Sequence, residues 1–242
     1  MLLDRYRQAV DDLFKKVRDT QTDAIMQAGK MVADCVANGG CVFLSSICHY
    51  MEMDSIYRGG GPIFYKHFSY DLKIENEARP REGAPTEDTA AAARYALSQS
   101  NFKPGDVLFL SSVSGRTQKV VDLAYEAVQM GIQVIAFTSM AYAVQVEPVH
   151  PSGKKLYEIA TLTIDNCAPA AEAMLDVEGI EARFGAASGI ASDYILWSIT
   201  SVAVERMLEK GLTPGILKSA NYPGGNDYNK TVIEPHYEQY GY

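Results

Sequence analysis

Asp106-Val107-Leu108-Phe109-Leu110-Ser111-Ser112-Val113-Ser114-Gly115-Arg116-Thr117 decides the fold. The stretch opens after the Pro104-Gly105 break as a nearly continuous apolar run, the pattern of a strand buried on both faces. Beyond Thr117, the residues Val120, Val121, Leu123, Ala124 and Ala127 form the apolar face of a helix that Gly131 closes. A short polar turn from strand into helix leaves the first helical N–H groups without carbonyl partners, so it attracts an anion. Gly115 permits an unusual backbone angle or close approach, and Ser112, Ser114 and Thr117 each bring a hydroxyl that can donate to phosphate oxygens. Capping the helix would use one such hydroxyl. Three around a single glycine exceed that need.

Working outward, 134–138 and 162–165 read as further strands, separated by a helix-poor connection containing Tyr157 and Ile159. Upstream, Gly39-Gly40 ends a helical run and 41–44 is an apolar stretch of strand length. Tyr6, Val10, Leu13 and Val17, and after Thr20 the set Ile25, Ala28, Met31, Val32 and Cys35, predict two paired N-terminal helices. Residues 45–49 read as a polar turn into a short helix ending near Tyr57, and 58–85 as an irregular insertion. Thr86 is the expected N-cap of an alanine-rich helix through Ser98. Residues 190–210 carry the longest helical pattern, and 219–242, rich in Asn, Gly and Tyr, read as a polar loop packing over a site or a neighbouring subunit. Strands alternating with helices imply a mainly parallel sheet covered on both faces.

The chain has 242 residues, of which 47% are hydrophobic, enough for a sizeable core without disulfide or metal staples. A net charge of −8 opposes binding to nucleic acid and to anionic membranes at long range. The start, Met1-Leu2-Leu3-Asp4-Arg5, has neither the apolar core nor the cleavage site of a secretory signal, so a cytoplasmic protein is expected. Cys35, Cys41, Cys48 and Cys167 show neither C-x-x-C spacing nor zinc-ligand pairing and read as free thiols. No dinucleotide or P-loop motif is present, and neither a metal nor a cofactor is implied.

S-x-S-G-x-T at the end of a parallel strand, as in Ser112 to Thr117, resembles the phosphate-binding motif of the sugar isomerase (SIS) domain family. Tyr57-Arg58-Gly59-Gly60-Gly61, Pro151-Ser152-Gly153-Lys154-Lys155-Leu156-Tyr157, Ile164-Asp165-Asn166-Cys167-Ala168-Pro169 and Ser219-Ala220-Asn221 extend the likeness, which is to a phosphoheptose-isomerase-like branch of sugar-isomerase-domain proteins, over nearly the whole chain. The resemblance implies an α/β fold, a three-layer α/β/α sandwich around a five-stranded parallel sheet of flavodoxin-like type. It implies one SIS domain over 1–242, with N-terminal helices in 1–38, a core in 39–218 and a C-terminal tail in 219–242. The implied partner is a phosphorylated sugar, and the implied assembly a homodimer or homotetramer. Family activities range from aldose-ketose isomerisation to ether cleavage and ligand sensing, so the fold does not select the reaction.

One stretch departs from the family. Where the related branch has a glycine-rich loop after its first strand, this chain has Leu44-Ser45-Ser46-Ile47-Cys48-His49, without a glycine. Ser45 and Ser46 keep hydroxyls for a ligand. Proton transfer in an isomerase needs a carboxylate or histidine beside the opened sugar. His49, Asp54 and Glu87 are the candidates, with Glu52 also near the first loop. Glu87 and Asp88 follow a turn resembling a carboxylate-bearing segment of the N-acetylmuramic acid 6-phosphate etherases, although helix-terminal charge accounts for them equally well. In the tail, Asn221, Asn226 and Asp227 are the expected readers of sugar hydroxyls, and His236 is a candidate acid or base where the tail folds back. Phosphosugar isomerisation or a related elimination is the leading expectation, and a non-catalytic phosphosugar sensor the alternative.

Overall fold

The computed structural model describes residues 1–45, 55–73 and 88–242. The chain opens with helix α1 (Leu2–Ala37) and strand β1 (Val42–Ser45), followed by β2 (Tyr65–Phe68) and α2 (Thr89–Gln99). Next come β3 (Val107–Ser111), α3 (Gln118–Gln129), β4 (Gln133–Thr138), the short α4 (Met140–Ala143) and a 3₁₀ turn at Leu156–Glu158. Strand β5 (Leu162–Asp165), a hairpin of β6 (Ala173–Leu175) and β7 (Phe184–Ala186), and helices α5 (Ser188–Glu209) and α6 (Gly225–Tyr240) complete it.

The main sheet has five strands in the order β2-β1-β3-β4-β5, and every pairing within it is parallel. Buried residues form one apolar cluster from α1, α5 and one sheet face, and a second from α2, α3 and the other face. This is the α/β/α sandwich expected from the resemblance. Alternation along β3 sends Val107 and Phe109 into the first cluster and Leu108 and Leu110 into the second, which is why the strand reads as a continuous apolar run.

Four sequence readings are corrected. The two N-terminal helices are one helix, α1, because nothing between residues 17 and 25 breaks it: Thr20 and Thr22 return their hydroxyls to the carbonyls of Lys16 and Arg18 at 2.8 and 2.6 Å. The insertion at 58–85 contains β2, an edge strand whose Lys66 and His67 interrupt the apolar pattern while Tyr65 and Phe68 are buried. Asp88, not Thr86, caps α2, accepting from the Ala91 N–H at 2.9 Å. The tail contains helix α6, hidden from a periodicity search because Gly225 is its one buried residue and Pro235 lies inside it. No helix among the described residues is long and apolar enough to cross a membrane.

Candidate functional site

In a parallel sheet the segments leaving the strands gather at one end. The 112–117 loop lies there, at the end of β3, and the neighbouring strand ends hold its shape. Ser112 N–H donates to the Phe137 carbonyl and Ser139 N–H to the Val113 carbonyl, each at 3.0 Å. Gly115 N–H closes a turn onto the Ser112 carbonyl at 3.0 Å, and Leu156 N–H donates to the Gly115 carbonyl at 2.8 Å. Gly115 has φ +65°, and a Cβ there would lie 3.1 Å from Thr138 Oγ1, so backbone angle and space both select glycine.

Among the described residues no carbonyl accepts from the N–H groups of Val113, Ser114 or Arg116. Thr117 is the N-cap of α3 but makes no side-chain cap hydrogen bond. The start of a twelve-residue helix and the loop before it thus present donors to the same region. Ser114 is half-buried and Thr117 exposed, whereas Ser112 is fully buried and donates its hydroxyl to Thr117 Oγ1 at 3.3 Å. Arg116 and Lys119 flank the N-cap, and no carboxylate among the described residues pairs with either. In a chain of net charge −8 this local positive charge complements an anion.

The Pro151 to Tyr157 stretch, part of the family resemblance, has no role assigned from sequence. Its role is to brace the loop. Lys155 is buried and donates from Nζ to the carbonyls of Ala143 and Val146 at 2.6 and 2.9 Å, which anchors Leu156 against Gly115. Asp165 and Asn166 brace it from the other side. Asp165 Oδ1 accepts from the N–H groups of Met140 and Cys167 at 3.0 and 2.9 Å, and Asn166 N–H donates to the Thr138 carbonyl at 2.8 Å. The brace joins side chains to backbone groups of distant segments, which no periodicity in the sequence shows.

Ser45, fully buried, ends β1 beside β3 at the same end of the sheet. Ser46, His49, Glu52, Asp54 and Glu87 lie outside the described residues. Asn221 is not brought to the loop within this chain. The segment before it pairs with residues preceding β2, with Leu217 N–H donating to the Gly61 carbonyl at 2.9 Å, and this is the opposite end of the sheet. Asn226, Asp227 and His236 follow it there on α6. The tail bends towards the strand starts because Tyr242 donates its hydroxyl to the Gly40 carbonyl, just before β1, at 2.6 Å. No cluster of three or more His, Cys, Asp or Glu side chains suited to a metal occurs among the described residues.

The comparisons with known proteins agree with this architecture. A family model described as the SIS domain matches residues 5–139, a span that includes the whole 112–117 loop. A UPF0309 protein of Streptomyces griseus is 32% identical over 235 residues, covering 96% of this chain and 94% of the relative. Another, of Streptomyces coelicolor, is 30% identical over 241 residues, covering 98% and 96%. Among solved structures, a candidate sugar-phosphate isomerase from Listeria monocytogenes superimposes with a TM-score of 0.51 at 12% identity, covering 96% of this chain and 94% of that one. A phosphoheptose isomerase from Neisseria gonorrhoeae gives 0.50 at 13% identity, covering 85% and 98%. At such identities the structural likeness is one of fold.

Proposed function

This chain belongs to the SIS domain family, and on that premise we propose that it binds a phosphorylated sugar by its phosphate at the 112–117 loop and moves a proton on the opened sugar. The observation that carries this is the set of donors at the loop: backbone N–H groups of Val113, Ser114 and Arg116 without carbonyl acceptors, beside an N-cap Thr117 that does not cap. Ser114 and Thr117 contact the phosphate, Ser112 holds Thr117 in orientation, Gly115 gives close approach, and Ser45 and Ser46 meet the ligand from the end of β1. Proton transfer at C1 and C2, in the manner of an aldose-ketose isomerase or a related eliminating enzyme, falls to Glu87, Asp54 or His49.

A second reading, a phosphosugar sensor without turnover, is favoured by the first loop. Leu44 is fully buried core in β1 where the related branch has a glycine, and so gives no close backbone approach to a sugar. One experiment separates the two. Sugar phosphates are titrated into the wild type and into a Ser114→Ala, Thr117→Ala double variant by calorimetry, and each ligand that binds is incubated in deuterated water. Binding lost in the double variant supports the loop, and deuterium at C2 supports the enzyme. Binding without exchange leaves the sensor, and full binding by the double variant overturns both.

A second copy of the chain is part of the proposal. Leu2, Leu3 and Phe184, between 41% and 48% exposed, gather with Tyr6 into an apolar surface where the start of α1 meets the β6–β7 hairpin. Sedimentation of the wild type against Leu3→Lys checks it, and an unchanged mass would remove it.

A further inference from the structure

The tail, expected to pack over a site or a neighbouring subunit, closes a cavity at the other end of the sheet from the 112–117 loop. The cavity, ≈ 230 Å³ in volume, lies between α6, the start of β2 and the segment before β2. Its walls are apolar, with Ile63, Leu217, Ile233 and the ring of Tyr242 among them. Lys66 and His236 bring nitrogen groups to that lining, beside Tyr57, Tyr65 and Tyr237.

Among the described residues, Lys66 has an aromatic ring but no carboxylate beside it, and His236 Nε2 has no hydrogen-bond partner. The Lys66 ammonium lies 5.2 Å from the centroid of the Tyr242 ring, and no carboxylate among the described residues pairs with it. His236 Nε2 is closed off from solvent without a hydrogen-bond partner, while its ring packs on Tyr240 and Tyr242 at centroid distances of 4.7 and 4.9 Å. A buried polar atom left unpaired costs about 1–3 kcal/mol, so an orphan in a native structure calls for a partner. Burial, and secondarily the Lys66 charge, push His236 down to about 4, so at neutral pH the ring is uncharged and Nε2 can carry a proton to donate. Lys66 is also lowered by burial, the response of a cation short of counter-charge.

We propose that this cavity is a second ligand site, one that takes a small aromatic monocarboxylate whose carboxylate meets Lys66 Nζ and, on a turn of the imidazole that brings Nε2 to the cavity, His236, and whose ring lies against Ile63, Leu217 and Ile233. The volume is below the roughly 300–1,000 Å³ of drug-sized pockets, which limits the ligand to about one ring. Two donors match the two oxygens of a carboxylate, whereas a phosphate needs a ring of donors such as the 112–117 loop supplies. An apolar wall suits a flat hydrocarbon body better than a sugar.

The test is fluorine NMR of a fluorobenzoate titrated with the whole protein. The expected result is saturable line broadening that unlabelled benzoate competes away, weakened by about tenfold or more in Lys66→Met and in Ile233→Trp, which fills the space. Ile233 is 47% exposed, so that second variant remains folded if the first does not. Ser114→Ala leaves the broadening unchanged, which separates this site from the phosphate loop. Absence of saturable broadening at millimolar probe, or broadening that survives both cavity variants, overturns the proposal.

Discussion

Ser112 donates its hydroxyl to the hydroxyl of Thr117 across 3.3 Å, from a fully buried residue to an exposed one. The pair spans the loop from the β3 side to the helix side. Ser112→Ala is therefore expected to weaken phosphosugar binding by about tenfold or less, the worth of one neutral hydrogen bond. Thr117→Val, which removes a direct contact, weakens it by more. Calorimetry of the two variants checks the order, and a greater loss in Ser112→Ala would make the buried hydroxyl the primary contact.

Gly115→Ala is expected to cost more than its size suggests. The residue would sit at φ +65°, where a Cβ is disfavoured by about 1–2 kcal/mol, with that Cβ 3.1 Å from Thr138 Oγ1. Because Leu156 N–H donates to the Gly115 carbonyl, a shift of the loop also disturbs its brace. A lower denaturation midpoint with an unchanged denaturant slope, together with loss of phosphosugar binding, is the expected outcome.

These two cases show what the sequence makes legible. The β3-loop-α3 unit is encoded locally, by an apolar run, a hydroxyl cluster with glycine and a helical stripe, and each part is where the pattern puts it. Edge strand β2 escaped because Lys66 and His67, one on each face, separate its two buried aromatic residues and erase the apolar signature. Helix α6 escaped because it buries almost nothing, so no periodicity marks it. The position of Asn221 depends on backbone pairing of residues 215–217 with 60–63, a contact between distant segments that composition cannot show.

Asp122 ties three segments together beside the loop. Its carboxylate, 2% exposed, accepts from Thr89 at the start of α2 and pairs with His150 Nε2 at 2.8 Å. Ser152 N–H donates to His150 Nδ1 at 3.1 Å, which assigns the ring proton to Nε2, facing Asp122. Asp122→Ala strands two part-buried partners and is expected to cost about 1–3 kcal/mol, whereas Asp122→Asn, which keeps an acceptor, costs less. Thermal unfolding ranks them. Equal stability of the wild type and the alanine variant would show that the tie is replaced by water.

Gly29 sets the approach of α1 to α5. A Cβ there would lie 2.5 Å from Val202 Cβ and 3.0 Å from the Ile199 carbonyl oxygen, so the neighbours to be displaced include backbone and a β-branched residue. Helix propensity favours Gly29→Ala by about 1 kcal/mol, but overpacking of this kind costs about 1–3 kcal/mol. Net destabilisation is expected in chemical denaturation, and Gly29→Val is worse. A more stable alanine variant would mean that the helices separate easily.

His236 makes stability depend on pH in a direction fixed by its surroundings. Burial first, and the neighbouring Lys66 charge second, lower its pKa from 6.5 to about 4 in the folded chain. Between those values the unfolded chain binds a proton that the folded chain refuses, so stability rises with pH across this window. The contribution is complete above about 6.5 and is lost as the pH falls towards about 4. Carboxylates titrate through the lower part of the same range, so the readout is the difference between the wild type and His236→Phe, which keeps a flat ring against Tyr240 and Tyr242 without a titrating group. The melting temperature of the variant is expected to fall less between pH 6.5 and about 4 than that of the wild type. Lys66→Met recovers a small part of the difference, since the lysine charge is the lesser cause. Parallel curves for the wild type and His236→Phe would show that the imidazole is hydrated in the folded state, and that α6 does not shield it.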